Sequence, residues 1–470
     1  MLEFHKKKPK NPSKTEPEKR IKDFQEIYSQ FDKNDSVEQS SRCSQCGIPY
    51  CQIHCPLNNN IPDWLRYIAE GRLEEAYQVS ASTNAFPEVC GRVCPQDRLC
   101  EGNCVVEQAG FGAITIGNLE KYLTEIAWEK GWVKNLSSQN QFKQKVAIIG
   151  SGPAGMAASA YLTQNGYQVD VFEKNDRAGG LMIYGIPNFK LDKKIVERRT
   201  EWLLESGVKF NLNVEVGKNI SFQDLEKDYD AILIATGVYK ARQLDIDTSS
   251  VDNSIPALDF LIESNRTGLG DSPSNNKFLT AKDKSVVVIG GGDTAMDCVR
   301  TAIRQQAKEV TCLYRRNKEN MPGSAREVLN AEQEGIKFNW LSVPSKIISD
   351  NSTATSMTYK VAALGEVDES GRRKPVDTGV EKQIKSDLII QALGFEPEDL
   401  NHNFKTNIEL TSWKTVKVDF KKFQTSNPKI FAAGDIVRGA SLVVWAIHDG
   451  REVAKSIHNF LQSSKIKKAS

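Results

Sequence analysis

Apolar positions follow one rhythm before about residue 135 and another after it. In the first stretch they recur at helical spacing, in "IKDFQEIYSQF" (21–31), "IPDWLRYIAEGRLEEAYQVSASTN" (61–84) and "GNLEKYLTEIAWEK" (117–130). The polar run "NLSSQNQFKQ" (135–144) reads as a linker. Beyond it the apolar residues gather into short runs of buried-strand type. "KVAIIG" (145–150), the small-residue helix "PAGMAASAYLTQNG" and "QVDVFEK" (168–174) make a βαβ unit. The same pattern returns as "SVVVIG" (285–290), "DTAMDCVRTAIRQQA" (293–307) and "EVTCLYRR" (309–316). Two further apolar runs end in small-residue turns, "YDAILIATG" (229–237) and "SDLIIQALG" (386–394), and are expected to mark paired crossings between two domains. "TGLGDSPSNNKFLTAKDK" (267–284) reads as loop and "VDESGRRKPVDTG" (367–379) as a hairpin tip.

The fold expected is therefore α/β. Two Rossmann-like dinucleotide-binding domains, one inserted in the other, follow an all-helical domain. The expected boundaries are 1–139 for the helical domain, 140–240 joined with 394–470 for the outer nucleotide domain, and 241–393 for the inserted one.

Charge changes this picture little. Across 470 residues, 62 Lys and Arg face 60 Asp and Glu, which gives no electrostatic case for nucleic acid or an anionic membrane. The basic start, "MLEFHKKKPKNPSKTEPEKR", lacks the apolar core of a signal peptide and reads as a solvated, extended arm, with docking on an acidic partner as the alternative. No apolar run approaches the roughly 20 residues that span a bilayer, and a cytoplasmic location is expected.

The glycines carry the first chemistry. "GSGPAG" places Gly150, Gly152 and Gly155 between strand and helix in G-x-G-x-x-G spacing, with Pro153 and Ala154 opening the helix. Glycine permits the tight turn and lets the backbone approach a pyrophosphate, whose charge then meets the positive helix end. Glu173, ending the second strand, is placed to accept hydrogen bonds from adenosine ribose hydroxyls. Far downstream, "KIFAAGDIVRGASLVVWAIHDGREVAKSI" (429–457) brings Gly434 and Asp435, the latter suited to a ribityl chain. A helix starting near Ser441 and Leu442 would face a flavin's N1/O2 edge. This site is assigned to FAD, with Gly180, Leu181 and Ile186 of "GGLMIYGIPNFKL" expected to line the isoalloxazine. In the second unit Gly290, Gly292, Asp293, Thr294 and Ala295 form the turn, and Tyr314 stands where Glu173 stands in the first. Losing that acid and gaining Arg315 and Arg316 suits a 2'-phosphate, so NADPH is assigned here.

Eight cysteines fall in two groups, Cys43, Cys46, Cys51, Cys55 and Cys90, Cys94, Cys100, Cys104. In a reducing compartment, metal or redox roles explain such grouping better than disulfides. Zinc sites usually show two C-x2-C pairs, and only Cys43 and Cys46 form one. Runs of thiolates with Cys-Pro endings are ferredoxin-like, which favours iron–sulfur clusters. Cys298 and Cys312 read as core thiols.

With "RCSQCGIPYC", "PEVCGRVCPQDRLCEGNC", "AITIGNLEKY", "GGLMIYGIPNFKL", "VIGGGDTAMDCVRTAIRQQAKEVTCLYRR", "NMPGSAREV" and "FQTSNPKIFAAGDIVRGASLVV" in view, the chain resembles the small (beta) subunits of NADPH-dependent glutamate synthases over essentially its whole length. It is also similar to the electron-input half of dihydropyrimidine dehydrogenase. The resemblance implies two [4Fe-4S] clusters, one on Cys43, Cys46, Cys51 and Cys104, the other on Cys55, Cys94, Cys100 and Glu120, with Cys90 a bystander. It further implies hydride transfer from NADPH to FAD, without a catalytic acid or base, and single-electron delivery to a large (alpha) subunit that makes glutamate from glutamine and 2-oxoglutarate. Leu2 follows Met1, so no N-terminal cysteine nucleophile for glutamine hydrolysis is expected here. Two alternatives stay open at this level: an oxidoreductase serving ferredoxin or a pyrimidine-reducing partner, and a docking factor with a zinc-bound module.

Overall fold

Residues 1–248, 251–367 and 373–469 are described in the computed structural model. Two five-stranded parallel sheets repeat one design. In the first the order is Ile430–Ala432, Ala231–Ile234, Lys145–Ile149, Gln168–Glu173, Lys209–Leu212. In the second it is Ser254–Pro256, Leu388–Gln391, Ser285–Ile289, Glu309–Leu313, Lys337–Asn339. Each glycine-turn strand is central, because its runs of Val and Ile are buried on both faces as parallel strands require.

The runs 229–237 and 386–394 lie beside these central strands, Val146 pairing with Ala231 and Val286 with Leu388. The crossing itself follows directly after them, as a two-stranded antiparallel ribbon of Lys240–Ala241 and Phe395–Glu396. Ser342–Asp350, Thr353–Val367 and Arg373–Lys385 form a separate antiparallel sheet. The expected hairpin at 367–379 joins two of these strands, and its tip, 368–372, lies outside the described residues.

Small residues in Pro153–Gln164 have a packing cause. The long C-terminal helix, Val443–Ala469, lies against this helix so closely that a Cβ on Gly450 would meet the Ala154 carbonyl oxygen at 2.4 Å. Such contact excludes large side chains and sets the C-terminal helix over the first glycine turn.

The helical domain is built from Ile61–Ala69, Leu73–Ala81, Pro87–Val93 and Ile116–Glu129 around Trp64, Leu65, Ile68, Leu119 and Leu123. It shares a core with the first sheet, since Leu57, Phe86, Val89, Cys90 and Cys94 pack with Val146, Ile148, Ala154 and Val444. A buried ion pair fixes this junction: Arg199 donates through Nε and Nη2 to Glu88 at 2.6 and 2.9 Å.

The amino-terminal arm departs from expectation twice. Residues 21–31 are not helical, and the arm has only short turns at Glu3–His5 and Pro17–Arg20. The apolar side chains Ile27 and Phe31 are buried by wrapping across the domains, while Glu26 pairs with Arg92 and Lys121 at 2.5 and 2.6 Å. Tertiary partners outweigh the weak helical preference of this segment. Nor is the arm a solvated tail. Arg20 is 2% exposed, pairs with Glu334 at 2.8 Å and donates to the Asn330 carbonyl at 3.0 Å. Arg300 and Arg304 complete that buried network on Glu327 and Glu334, with Phe189 against both guanidinium groups.

Candidate functional site

At the carboxyl end of the first sheet lies an open cleft. Gly150, Gly152, Pro153, Ala154, Glu173, Leu181, Asp435, Ser441 and Leu442 line it. Gly155, Gly180, Ile186 and Gly434 do not; the three glycines lie close behind lining residues, and Ile186 packs on the adjoining core. A Cβ on Gly155 would meet the Gly150 carbonyl oxygen at 2.0 Å, and one on Gly180 the Gly152 Cα at 2.7 Å. Gly150 itself has φ +102°, and a Cβ there would meet the Ala235 oxygen at 2.5 Å. Gly152 opens on free space at the amino end of its helix, as a pyrophosphate site requires.

Electrostatics refine two of these assignments. Glu173 already accepts four hydrogen bonds, from Ser151 N and Oγ at 3.1 and 2.6 Å and from Asn175 N and Nδ2 at 2.9 and 2.8 Å. These fill the carboxylate, so a ribose diol can engage it only in exchange for the two side-chain donors. Burial pushes Asp435 up to about 6, against a hydrogen bond from the Ser441 backbone. The sequence reading missed Ser151, Asn175, Tyr239, Glu398 and Asn403 among the lining residues. Tyr239 follows the small-residue turn of the crossing strand and Glu398 the return crossing, so their signal was positional rather than a motif.

The second turn copies the first. Gly290 has φ +146° and would set a Cβ 2.3 Å from the Ala392 oxygen, as Gly150 does with Ala235. Gly292 caps the helix Asp293–Arg304, with Thr294 in its first turn and Ala295 buried beneath. Tyr314 packs its ring under Gly291 and donates to the Asn320 carbonyl at 2.8 Å. The two arginines part company. Arg315 is exposed, whereas Arg316 is 4% exposed and donates through Nε to the Arg373 carbonyl at 2.7 Å.

The eight amino-terminal thiols are free, and they lie in two adjoining neighbourhoods, with Cys100 close enough to feel both Cys51 and Cys55. Cys51 feels Cys43, Cys104 and Cys46, and Cys43 feels Cys104 and Cys46. Cys55, Cys94, Cys100 and Glu120 line a second, smaller cavity, and Cys90 lines it with them. No three His, Cys, Asp or Glu side chains among the described residues are gathered tightly enough for a single ion; the second group rings a space instead. Burial pushes the Cys51 thiol up to about 12 and Cys55 to about 11, and Cys100 rises for the same reason. Cys94 rises because it hydrogen-bonds Cys90 and is buried. Glu120 is pushed up to about 8 by burial, partly relieved by Asn84 Nδ2 at 3.2 Å. Acidic donors so disfavoured as anions fit a cationic inorganic group that compensates their charge. Cys298 and Cys312 are fully buried in the second nucleotide core, as expected.

The arrangement defines a class: an oxidoreductase of the two-dinucleotide type with an iron–sulfur domain ahead of it. The family model described as pyridine nucleotide-disulphide oxidoreductase matches residues 144–450, and that of dihydropyrimidine dehydrogenase domain II, 4Fe-4S cluster, matches 20–132. The glutamate synthase [NADPH] small chain of Azospirillum brasilense is 51% identical over 98% of this chain and 97% of its own. That of Escherichia coli strain K12 is 45% identical over 97% and 96%. Mycobacterium tuberculosis FprA in complex with NADPH, at 19% identity, shares the fold with a TM-score of 0.58 over 69% of this chain and 86% of that one. This chain belongs to the glutamate synthase small-chain family. No helix among the described residues is long and apolar enough to cross a membrane.

Proposed function

We propose that this chain is the NADPH-oxidising subunit of a glutamate synthase, delivering electrons to a large subunit that forms glutamate from glutamine and 2-oxoglutarate. One observation carries the reading. Ser441, Leu442 and Val443 line the dinucleotide cleft while the next residue, Val444, lines the thiol cavity. A single helix start divides the two spaces, so the residues that would hold a flavin and those that would hold a cluster meet on one short segment of chain.

FAD supplies hydride acceptance from NADPH, and iron–sulfur clusters supply one-electron carriage. The chain's own residues bind and orient. The helix start at Gly152 and Pro153 receives the pyrophosphate, Glu173 the ribose, and Asp435 the ribityl chain. Gly290, Gly292, Asp293, Thr294 and Ala295 form the NADPH turn, and Arg315, on the surface, meets the 2'-phosphate while Arg316 braces the antiparallel sheet. Cys43, Cys46, Cys51 and Cys104 hold one cluster; Cys55, Cys94, Cys100 and Glu120 hold the other. Between the cavities Val444 and its buried neighbours Ala446 and Ile447 exclude water from the shared wall.

The decisive experiment is anaerobic NADPH titration of the purified chain, followed by absorbance and EPR, then repeated with the large subunit and glutamine. Bleaching of flavin with appearance of reduced-cluster signals, and glutamine-dependent NADPH oxidation only with the large subunit, are expected. A preparation with full flavin and iron that the large subunit does not stimulate would reject the assignment.

A further inference from the structure

The turn that carries cluster ligands reaches across the molecule to the NADPH turn. Between Cys94 and Cys100 the chain makes a short 3-10 turn, Gln96–Arg98, anchored by Gln96 Nε2 donating to the Cys90 and Gly91 carbonyls at 3.3 and 3.1 Å. Its next two side chains point outward to the inserted nucleotide domain. Asp97 accepts from Ser324 Oγ and from the Ala325 backbone N–H, each at 3.1 Å. It thereby caps, from another domain, the first turn of the helix Ala325–Gln333, whose own cap residue Ser324 makes no such bond. Arg98 donates to the Pro322 carbonyl at 2.7 Å and stands 3.5 Å from the Asp293 carboxylate.

The strap from Pro322 to Arg326 transmits these contacts in both directions. On the nucleotide side, Gly323 N donates to the Gly291 carbonyl at 2.9 Å and Ser324 N to Asp293 Oδ1 at 2.9 Å. On the cluster side, Arg326 Nη2 reaches the Cys94 carbonyl at 3.5 Å. Asp293 is otherwise ill placed: a carboxylate at the head of a helix that is to receive a pyrophosphate repels it. Arg98 offsets that charge and Ser324 N fixes its direction, so both depend on a turn belonging to the iron–sulfur domain.

We propose that Asp97 and Arg98 are positioning residues for the pyridine nucleotide, holding the Gly290–Ala295 turn through Asp293 and the Pro322–Arg326 strap and thereby linking nucleotide binding to the cluster carried by Cys94 and Cys100. This rests on the functional reading above. Linkage makes the effect reciprocal: a turn that improves nucleotide binding is itself restrained by the nucleotide.

The test uses the full chain with flavin and iron in place, with NADP+ as the probe of the oxidised protein and NADPH as the probe of the fully reduced one, so that neither nucleotide can exchange electrons with the state it probes. The affinity of NADP+ is measured by perturbation of the flavin spectrum, and the cluster is watched by EPR after dithionite reduction, with and without NADPH. Asp97→Asn and Arg98→Gln are expected to weaken NADP+ by about five- to twentyfold, the size of an ordinary coupling between sites, with flavin and iron content unchanged. Arg98→Lys recovers part of the loss, and Lys337→Gln, which breaks only an exposed pair with Glu309, leaves affinity unchanged. NADPH alters the cluster EPR line shape in the fully reduced unmodified chain and not in Asp97→Asn. NADP+ affinities within twofold of the unmodified protein in both variants, or a cluster signal blind to NADPH, overturn the proposal. An unmodified chain that lacks flavin, iron or any NADP+ binding overturns the functional reading instead.

Discussion

Arg315 and Arg316 are adjacent in sequence and opposite in environment, which separates their consequences. Arg315→Ala is expected to raise the KM for NADPH about tenfold, the loss of one charge-assisted contact to phosphate, while leaving NADH oxidation unchanged. Arg316→Ala, removing a buried guanidinium from the Arg373 carbonyl, lowers the melting temperature and affects both nucleotides alike. Steady-state kinetics with the two nucleotides, beside a thermal scan, distinguish them. A similar contrast tests the second thiol group. Cys90 and Glu120 line the same cavity. Glu120→Ala is expected to lose one of the two clusters, and Cys90→Ala to keep both; iron and acid-labile sulfide, about eight of each per unmodified chain on the two-cluster reading, report the outcome. At this scale the sequence anticipated the glycine turns, the place of Glu173 and Asp435 on the cleft wall and the gathering of Cys55, Cys90, Cys94 and Cys100, since each sits at or beside the end of an element whose period is local. The burial of Arg316 and the filled hydrogen bonds of Glu173 were not legible there, because neither a neighbouring carbonyl nor a competing donor is written in a motif.

Elements are joined by buried charge. Replacing Glu88 by Gln leaves Arg199 buried without its counter-ion and is expected to cost about 3–5 kcal/mol, read as a lowered denaturation midpoint. The arm's network responds to pH. Burial acts against the Glu327 and Glu334 carboxylates, but Arg300, Lys190 and Arg326 at Glu327, and Arg304 and Arg300 at Glu334, outweigh it and hold both at about 2, against 4.5 ordinarily. A carboxyl held below its unfolded value adds stability that is complete above about pH 4.5 and disappears as the pH falls towards 2. For Glu334 this is about 3 kcal/mol. Urea midpoints measured from pH 5 to pH 2 should therefore fall more steeply for the unmodified protein than for Glu334→Gln, which begins less stable and loses less. Helices and central strands were readable from periodicity. The segment 21–31 was misread, because its apolar spacing serves contacts with other domains rather than a helix of its own.

On the scale of the whole molecule the helical domain and the first nucleotide domain are one body. Cys90 and Cys94 pack in the same core as Val146 and Ala154, and the two cavities share a wall. Removal of iron by a chelator under reducing conditions is thus expected to lower the melting temperature of the flavin domain as well, in one transition; calorimetry showing an unchanged flavin-domain transition would contradict the shared core. The sequence by itself determined the chemistry: glycine spacing, an acid at a strand end and grouped thiols are local constraints, and each element's burial follows from its own apolar period. Only the tertiary structure decided how these parts address one another, because a one-residue wall at Val444, an arm clamped by Arg20 and a turn at Gln96–Arg98 bound to Pro322, Ser324 and Ala325 are contacts between residues hundreds of positions apart, and no local pattern encodes them.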